Sequence, residues 1–187
     1  GKQIRVIFAL LSYDMFGGAD GENLKEIVLA IEALHNFTLI HDDVMDNANL
    51  RRGKDTINKK WSNNQAILSG DALMISAYNH LLNLENSNKL LLKNFTKTAL
   101  HICEGQQLDL DIQIKKTITL DEYLKMIHLK TGALIKFSLV SAASLTRLGK
   151  SELLILEKIG YYLGELFQIQ DDYLDLYGLE SKTGKSI

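Results

Sequence analysis

Not one proline interrupts the 187 residues of this chain. Proline ends or kinks a helix because it lacks an N–H and its ring meets the preceding turn. Its absence permits long unbroken helices, and the apolar residues recur at the matching period. Ile4, Phe8, Leu11 and Met15 mark a helix over residues 3–16, stopped by Gly17-Gly18. Leu24, Ile27, Val28, Ile31 and Leu34 form the apolar stripe of a second helix, from about Glu22 to Asn47. Residues 49–60 read as a polar loop. Further helices are predicted over 62–84, with Ala66, Leu73, Ala77 and Leu81 inward, and over 90–113. Thr119 and Glu122 form a capping box that opens a helix to Thr131, and Gly132 breaks or kinks it. A small-residue helix over 133–147 and a last helix over 151–177, ended by Gly178, complete the pattern. No stretch reads as a strand and no linker divides the chain. The fold class is therefore all-α, in one domain.

The second predicted helix ends in His41-Asp42-Asp43-Val44-Met45-Asp46, and Arg51-Arg52-Gly53 follow. Positions four apart share a helix face, so Asp42 and Asp46 project together with Asp43 beside them. The pattern returns near the other end as Gln168-Ile169-Gln170-Asp171-Asp172-Tyr173-Leu174-Asp175. A lone acidic cluster usually marks a solvated face. These two sit in apolar contexts, Leu39-Ile40 before the first and Ile169 and Leu174 within the second. Hard carboxylate oxygens with arginines close behind suit Mg²⁺ bridging to a diphosphate, with guanidinium groups on the phosphate oxygens. Two such helix ends facing each other across a bundle would neutralise a diphosphate and make it a good leaving group. Gly160 and Gly164 leave room near the second cluster for a neighbour or a ligand.

The remaining features exclude more than they assign. A net charge of −2 gives no basic field for nucleic acid. No apolar run approaches the length of a transmembrane segment. Cys103 is the single cysteine, which rules out an intrachain disulfide and fits a reducing, cytoplasmic compartment. Cys103 and Trp61 are expected in the core or half-buried. His41, His80, His101 and His128 have no metal-box spacing. The chain begins at Gly1 and stops at Ile187, and we read it as incomplete at both ends.

The two aspartate clusters, with Leu50-Arg51-Arg52-Gly53, resemble the paired motifs of the trans-type polyprenyl (isoprenyl) diphosphate synthases. That family makes geranyl, farnesyl, geranylgeranyl and longer diphosphates head to tail. The resemblance, of the short-chain type, covers essentially the whole sequence. It implies an isoprenoid-synthase-like helical bundle around a central cavity. It implies Asp42, Asp46, Asp171, Asp172 and Asp175 as Mg²⁺ ligands, Asp171 the most direct of the second cluster, with Asp43 supporting. Three Mg²⁺ ions per substrate-bound site are implied. Arg51 matches the allylic-diphosphate arginine and Arg52 the isopentenyl-diphosphate arginine. Lys130-Thr131, Gln168 and Lys185 match groups on the allylic diphosphate. Lys2, Arg5 and His35 match the isopentenyl-diphosphate side. Gly105-Gln106 and Asp109 resemble a supporting mid-chain motif. Val6 and Asp55 stand where the family often has proline. The C-terminal third, including a Gly-Gly-Asp that usually follows Gly184-Lys185, is missing.

The resemblance implies ionisation of the allylic substrate, attack by the alkene of isopentenyl diphosphate, and loss of a proton to the released diphosphate. It implies a homodimer and a C15–C20 all-trans product. Phe37, five residues before Asp42, is the family's usual floor for the growing chain. A helical wheel instead sets Thr38 beneath Asp42 and turns Phe37 away. Two rivals stay open: a class I terpene cyclase and a non-catalytic subunit of a true synthase.

Overall fold

The computed structural model describes residues 3–19, 21–84 and 89–177, except for the side chain of Asp175. Lys2, Lys185 and the helix stop at Gly178 lie outside the described residues. The elements run α1 (Ile4–Met15), α2 (Gly21–Met45), β1 (Leu50–Arg51), β2 (Lys54–Asp55), α3 (Ile57–Lys60), α4 (Asn63–Leu82) and α5 (Lys89–Gln113). They continue with α6 (Leu120–Ile127), a π-helical turn (His128–Gly132), α7 (Ala133–Ala143) and α8 (Lys150–Tyr177). Among the described residues the fold is all-α apart from one minimal hairpin.

That hairpin corrects the loop expected at 49–60. Leu50 pairs with Asp55 and Arg51 with Lys54, antiparallel. Arg52 and Gly53 form the two-residue turn at φ 55° and 74°. Two positive φ values in succession match the twist of a tight hairpin. The strands are too short for any alternating pattern to reveal them. Thr119 and Glu122 do form the full reciprocal capping box at the start of α6.

Gly132 does not break the chain. One extra residue per turn over 128–132 joins α6 to α7 as a π-bulge, which frees backbone geometry without ending the rod. From there α7 runs through the middle of the bundle, with Leu134, Ile135, Phe137 and Leu139 all buried. A helix apolar on every side must be covered on every side. It packs on α8, α1, α5 and α2. Its small residues allow close approach, and Ser12 Oγ of α1 donates to the Leu139 carbonyl at 2.9 Å. Ile27, Ile31 and Leu34 of α2 and Phe95 of α5 complete the core at 0% exposure. Each such side chain contributes about 1.5–3 kcal/mol on burial.

Glycines set the helix spacing around the π-turn. A methyl group at Gly105 would overlap the backbone nitrogen of Lys130. One at Gly164 would overlap the Gly132 backbone, and one at Gly160 the Cα of Lys136. So α5 and α8 both touch the α6–α7 rod at backbone distance. The room left at Gly160 and Gly164 is filled by a neighbouring helix. Cys103 and Trp61 are exposed, Trp61 by 59%, contrary to expectation. Trp61 lies just past the end of α3, with Lys60 Nζ 4.8 Å over its ring.

Candidate functional site

The first aspartate cluster sits where α2 ends. Asp46 lies one residue beyond the helix, yet its N–H still donates to the Asp42 carbonyl at 2.8 Å. The shared face of Asp42 and Asp46 is thereby kept. Asn47 then turns the chain at φ 50°, a conformation asparagine tolerates.

Asp43 points elsewhere. It is 5% exposed and accepts from Arg51 Nε at 2.7 Å. A buried carboxylate needs a partner, and the hairpin brings Arg51 to it. The left-handed turn then carries Arg52 away. Arg52 is close enough to Arg5 and His35 to act on both. Adjacent arginines are thus delivered to separate places by one tight turn.

Lys130 on the π-turn bridges two helices. Its ammonium lies 2.6 Å from Asp109 on α5 and 3.9 Å from Asp42 on α2. The next residue starts a chain of hydrogen bonds: Thr131 Oγ1 donates to Gln168 Oε1 at 2.7 Å, and Gln168 Nε2 donates to Asp172 Oδ1 at 2.8 Å. The Tyr123 hydroxyl donates to the other oxygen, Oδ2. Both oxygens of Asp172 are therefore engaged within the chain. Burial, with Asp172 as hydrogen-bond acceptor and nearby charge, pushes the Tyr123 hydroxyl well above its ordinary pKa. The sequence offered no signal for Tyr123, because its link to Asp172 spans 49 residues.

On the other side Arg5 Nη1 lies 3.3 Å from His35 Nε2. Arg5 is held down to a pKa of about 10, first by burial and also by Arg52, while Glu32 and Asp171 act the other way. Its buried Nε has no hydrogen-bond partner among the described residues. The Gln106 side chain is 7% exposed, and neither end of its amide is partnered there. Buried unpaired donors are rare and usually await a ligand or water.

His35 carries a testable pH signature. Burial, then Arg5, Arg52 and Arg51, push its pKa from 6.5 to about 3. The ring is neutral at pH 7 and able to accept from Arg5. Between pH 6.5 and about 3 the unfolded chain takes up a proton that the folded ring refuses. The contribution is complete above that window and is lost as pH falls through it. Denaturation of His35→Gln is expected to show a shallower loss of stability from pH 6.5 to 4 than the parent chain. Equal slopes would rule out the neutral buried imidazole.

The donor chemistry fits a hard cation. Among the described residues Asp42 pairs only with Lys130, and burial, with help from Asp46 and Asp109 and against Lys130 and Arg51, raises its pKa. Surplus negative charge in a partly buried place favours a divalent ion. Among the described residues no three His, Cys, Asp or Glu side chains are set to hold a metal by themselves. Mg²⁺ commonly takes one or two carboxylates and completes its shell with phosphate and water, so the two findings agree. Asp171 is exposed on α8 and lies within electrostatic reach of Arg5. Asp175 lies on the same helix.

The family model for polyprenyl synthetases matches residues 1–187. A short chain isoprenyl diphosphate synthase of Methanocaldococcus jannaschii is 38% identical over 189 residues, covering 100% of this chain and 57% of that protein. An all-trans-nonaprenyl-diphosphate synthase (geranyl-diphosphate specific) of Rhodobacter capsulatus is also 38% identical, covering 100% and 57%. A crystal structure of a geranylgeranyl pyrophosphate synthase superimposes with a TM-score of 0.93 at 41% identity, again over 100% of this chain and 57% of that one. The chain thus spans a little over half the length of the proteins it matches.

Proposed function

Because the chain belongs to the polyprenyl synthetase family, we propose that it serves a prenyltransferase joining isopentenyl diphosphate to an allylic diphosphate, head to tail, with release of diphosphate. One observation carries this reading: the cationic and polar groups fall into two sets, one in contact with Asp42 and one within reach of Asp171. Lys130, Thr131 and Gln168 form one, beside Asp42. Arg5, His35 and Arg52 form the other, near Asp171. Two grips suit two diphosphate substrates.

In this reading Asp42, Asp46 and Asp171 hold Mg²⁺, three ions per occupied site, with Asp175 a further ligand. Asp172, a further ligand in this reading, also orients Gln168. The metal, when bound, supplies the positive charge that makes the allylic diphosphate a good leaving group. Lys130, Thr131, Gln168, Arg51 and, beyond the described residues, Lys185 hold that diphosphate as its C–O bond breaks. Arg5, Arg52 and His35, with Lys2, hold isopentenyl diphosphate so that its alkene meets the cation and a C–C bond forms. The apolar helix faces exclude water from the cation. A proton then leaves to the departed diphosphate. His35, with a pKa of about 3, is a poor base for it.

A homodimer and a cytoplasmic location belong to the same proposal; among the described residues no helix is long and apolar enough to cross a membrane. So does a C15–C20 product. Phe37 lies against His41, ring centroids 4.6 Å apart, and His41 Nε2 is 3.1 Å from the Ile67 carbonyl of α4. That position favours Thr38, on the face of Asp42, as the first residue the growing chain meets.

Diphosphate release by the whole protein with Mg²⁺ tests the reading. Release is expected only when allylic and isopentenyl diphosphates are both present. Release from the allylic substrate alone would make the protein a cyclase, and no release under any condition would make it a non-catalytic subunit.

A further inference from the structure

Away from the aspartates, α5 and α8 flank the lower half of α7. Both are pinned to the α6–α7 rod higher up, α5 at Gly105 and α8 at Gly160 and Gly164. Below those points they do not pack extensively on each other. A small cavity of about 160 Å³ opens between them. Its floor is apolar: Leu91, Phe137, Val140 and Leu153. Its polar lining is half neutral; its titratable members are Lys97 and His101 from α5 and Lys136 from α7, against the single carboxylate of Glu157.

Two observations indicate an anionic ligand. Among the described residues neither Lys97 nor Lys136 has an ion-pair partner, although carboxylates pair with Lys115 and Lys130 elsewhere in the fold. Ser141, 1% exposed and part of the lining, has a buried hydroxyl with no partner among the described residues. Serines within helices commonly bond back to the preceding turn, as Ser138 does to Leu134. Ser141 keeps its hydroxyl free instead. His101 agrees with this picture: burial, then Lys97 and Lys136, hold its pKa below the ordinary value while Glu104 opposes them. An anion here would offset the charge of the two lysines.

We propose that the groove between α5 and α8 is a second ligand site, separate from the aspartate face, for a phosphate-headed molecule with a short apolar tail. The head sits among Lys97, Lys136 and His101, and the tail lies on Phe137, Val140 and Leu153. This inference does not depend on the proposed reaction.

Octyl phosphate is the probe, titrated into the whole protein with the aspartate face saturated by Mg²⁺ and inorganic diphosphate. Saturable binding is expected, with NMR shifts at Ser141 and Phe137. Charge reversal in K97E/K136E is expected to weaken it at least about tenfold. The milder K97Q/K136Q pair serves if the reversal disturbs folding, and a several-fold loss is expected there. Inorganic phosphate and 1-octanol, each alone, are expected to bind far more weakly. Unchanged affinity in the lysine variants would overturn the site. So would inorganic phosphate binding as tightly as octyl phosphate.

Discussion

Asp42→Ala is expected to lower turnover of the whole protein about a thousandfold, the scale for removing a group that stabilises charge developing in the transition state. Among the described residues the Asp42 carboxylate has one ion pair, with Lys130 at 3.9 Å, and lies within electrostatic reach of Asp46, Arg51 and Asp109. On the proposed reading its removal deletes a metal-holding oxygen, and it leaves Lys130 paired to Asp109. Folding should survive, because no hydrogen bond of the described core ends on that carboxylate. Asp43→Asn makes a contrasting control. Asp43 is 5% exposed and anchors Arg51, so its loss should raise the KM for the allylic substrate and lower stability more than Asp42→Ala does. Steady-state kinetics with a Mg²⁺ titration separates the two. Near-normal turnover in Asp42→Ala would end the two-cluster mechanism.

Gly105→Ala should also damage catalysis, although Gly105 faces the backbone of the π-turn rather than the aspartates. The added methyl would overlap the nitrogen and Cα of Lys130 and the carbonyl carbon of Leu129. All three are backbone atoms, so no rotamer change relieves the clash. Either α5 backs away from the π-turn or the turn distorts. Both stretch the 2.6 Å contact between Asp109 and Lys130 and shift Lys130 relative to Asp42. Overpacking of this kind costs about 1–3 kcal/mol. A displacement near 1 Å at the reacting centre costs about a hundredfold in rate. Exposed Cys103→Ser on the same helix should stay within about 0.5 kcal/mol of the parent. A Gly105→Ala protein with unchanged melting temperature and turnover would show that the close approach is not required.

Much of the helical frame was legible because periodicity is a local property. Ile27, Ile31 and Leu34 announce a buried stripe, and all three are at 0% exposure. Thr119 and Glu122 announce a cap, and it forms. The hairpin at 50–55 escaped because two-residue strands carry no pattern and only the turn at Arg52-Gly53 hints at them. The π-turn escaped because a glycine inside a helical pattern looks the same whether it breaks, kinks or bulges the helix. Cys103 and Trp61 were misjudged because burial depends on what packs opposite.

The sequence by itself determined the helices, the two clusters of acidic side chains near helix ends, and the stock of cations near them. Each follows from the order of residues within a few turns. Only the tertiary structure decided which partner each group meets. It gave Asp43 to Arg51, and Asp109 and Asp42 to Lys130. It closed both oxygens of Asp172 with Gln168 and Tyr123, and sent Arg52 toward His35. Those pairings depend on the spacing and rotation of helices distant in sequence. Close backbone contact at Gly105, Gly132 and Gly164 sets that spacing, and the local sequence around each glycine does not say which helix it will face.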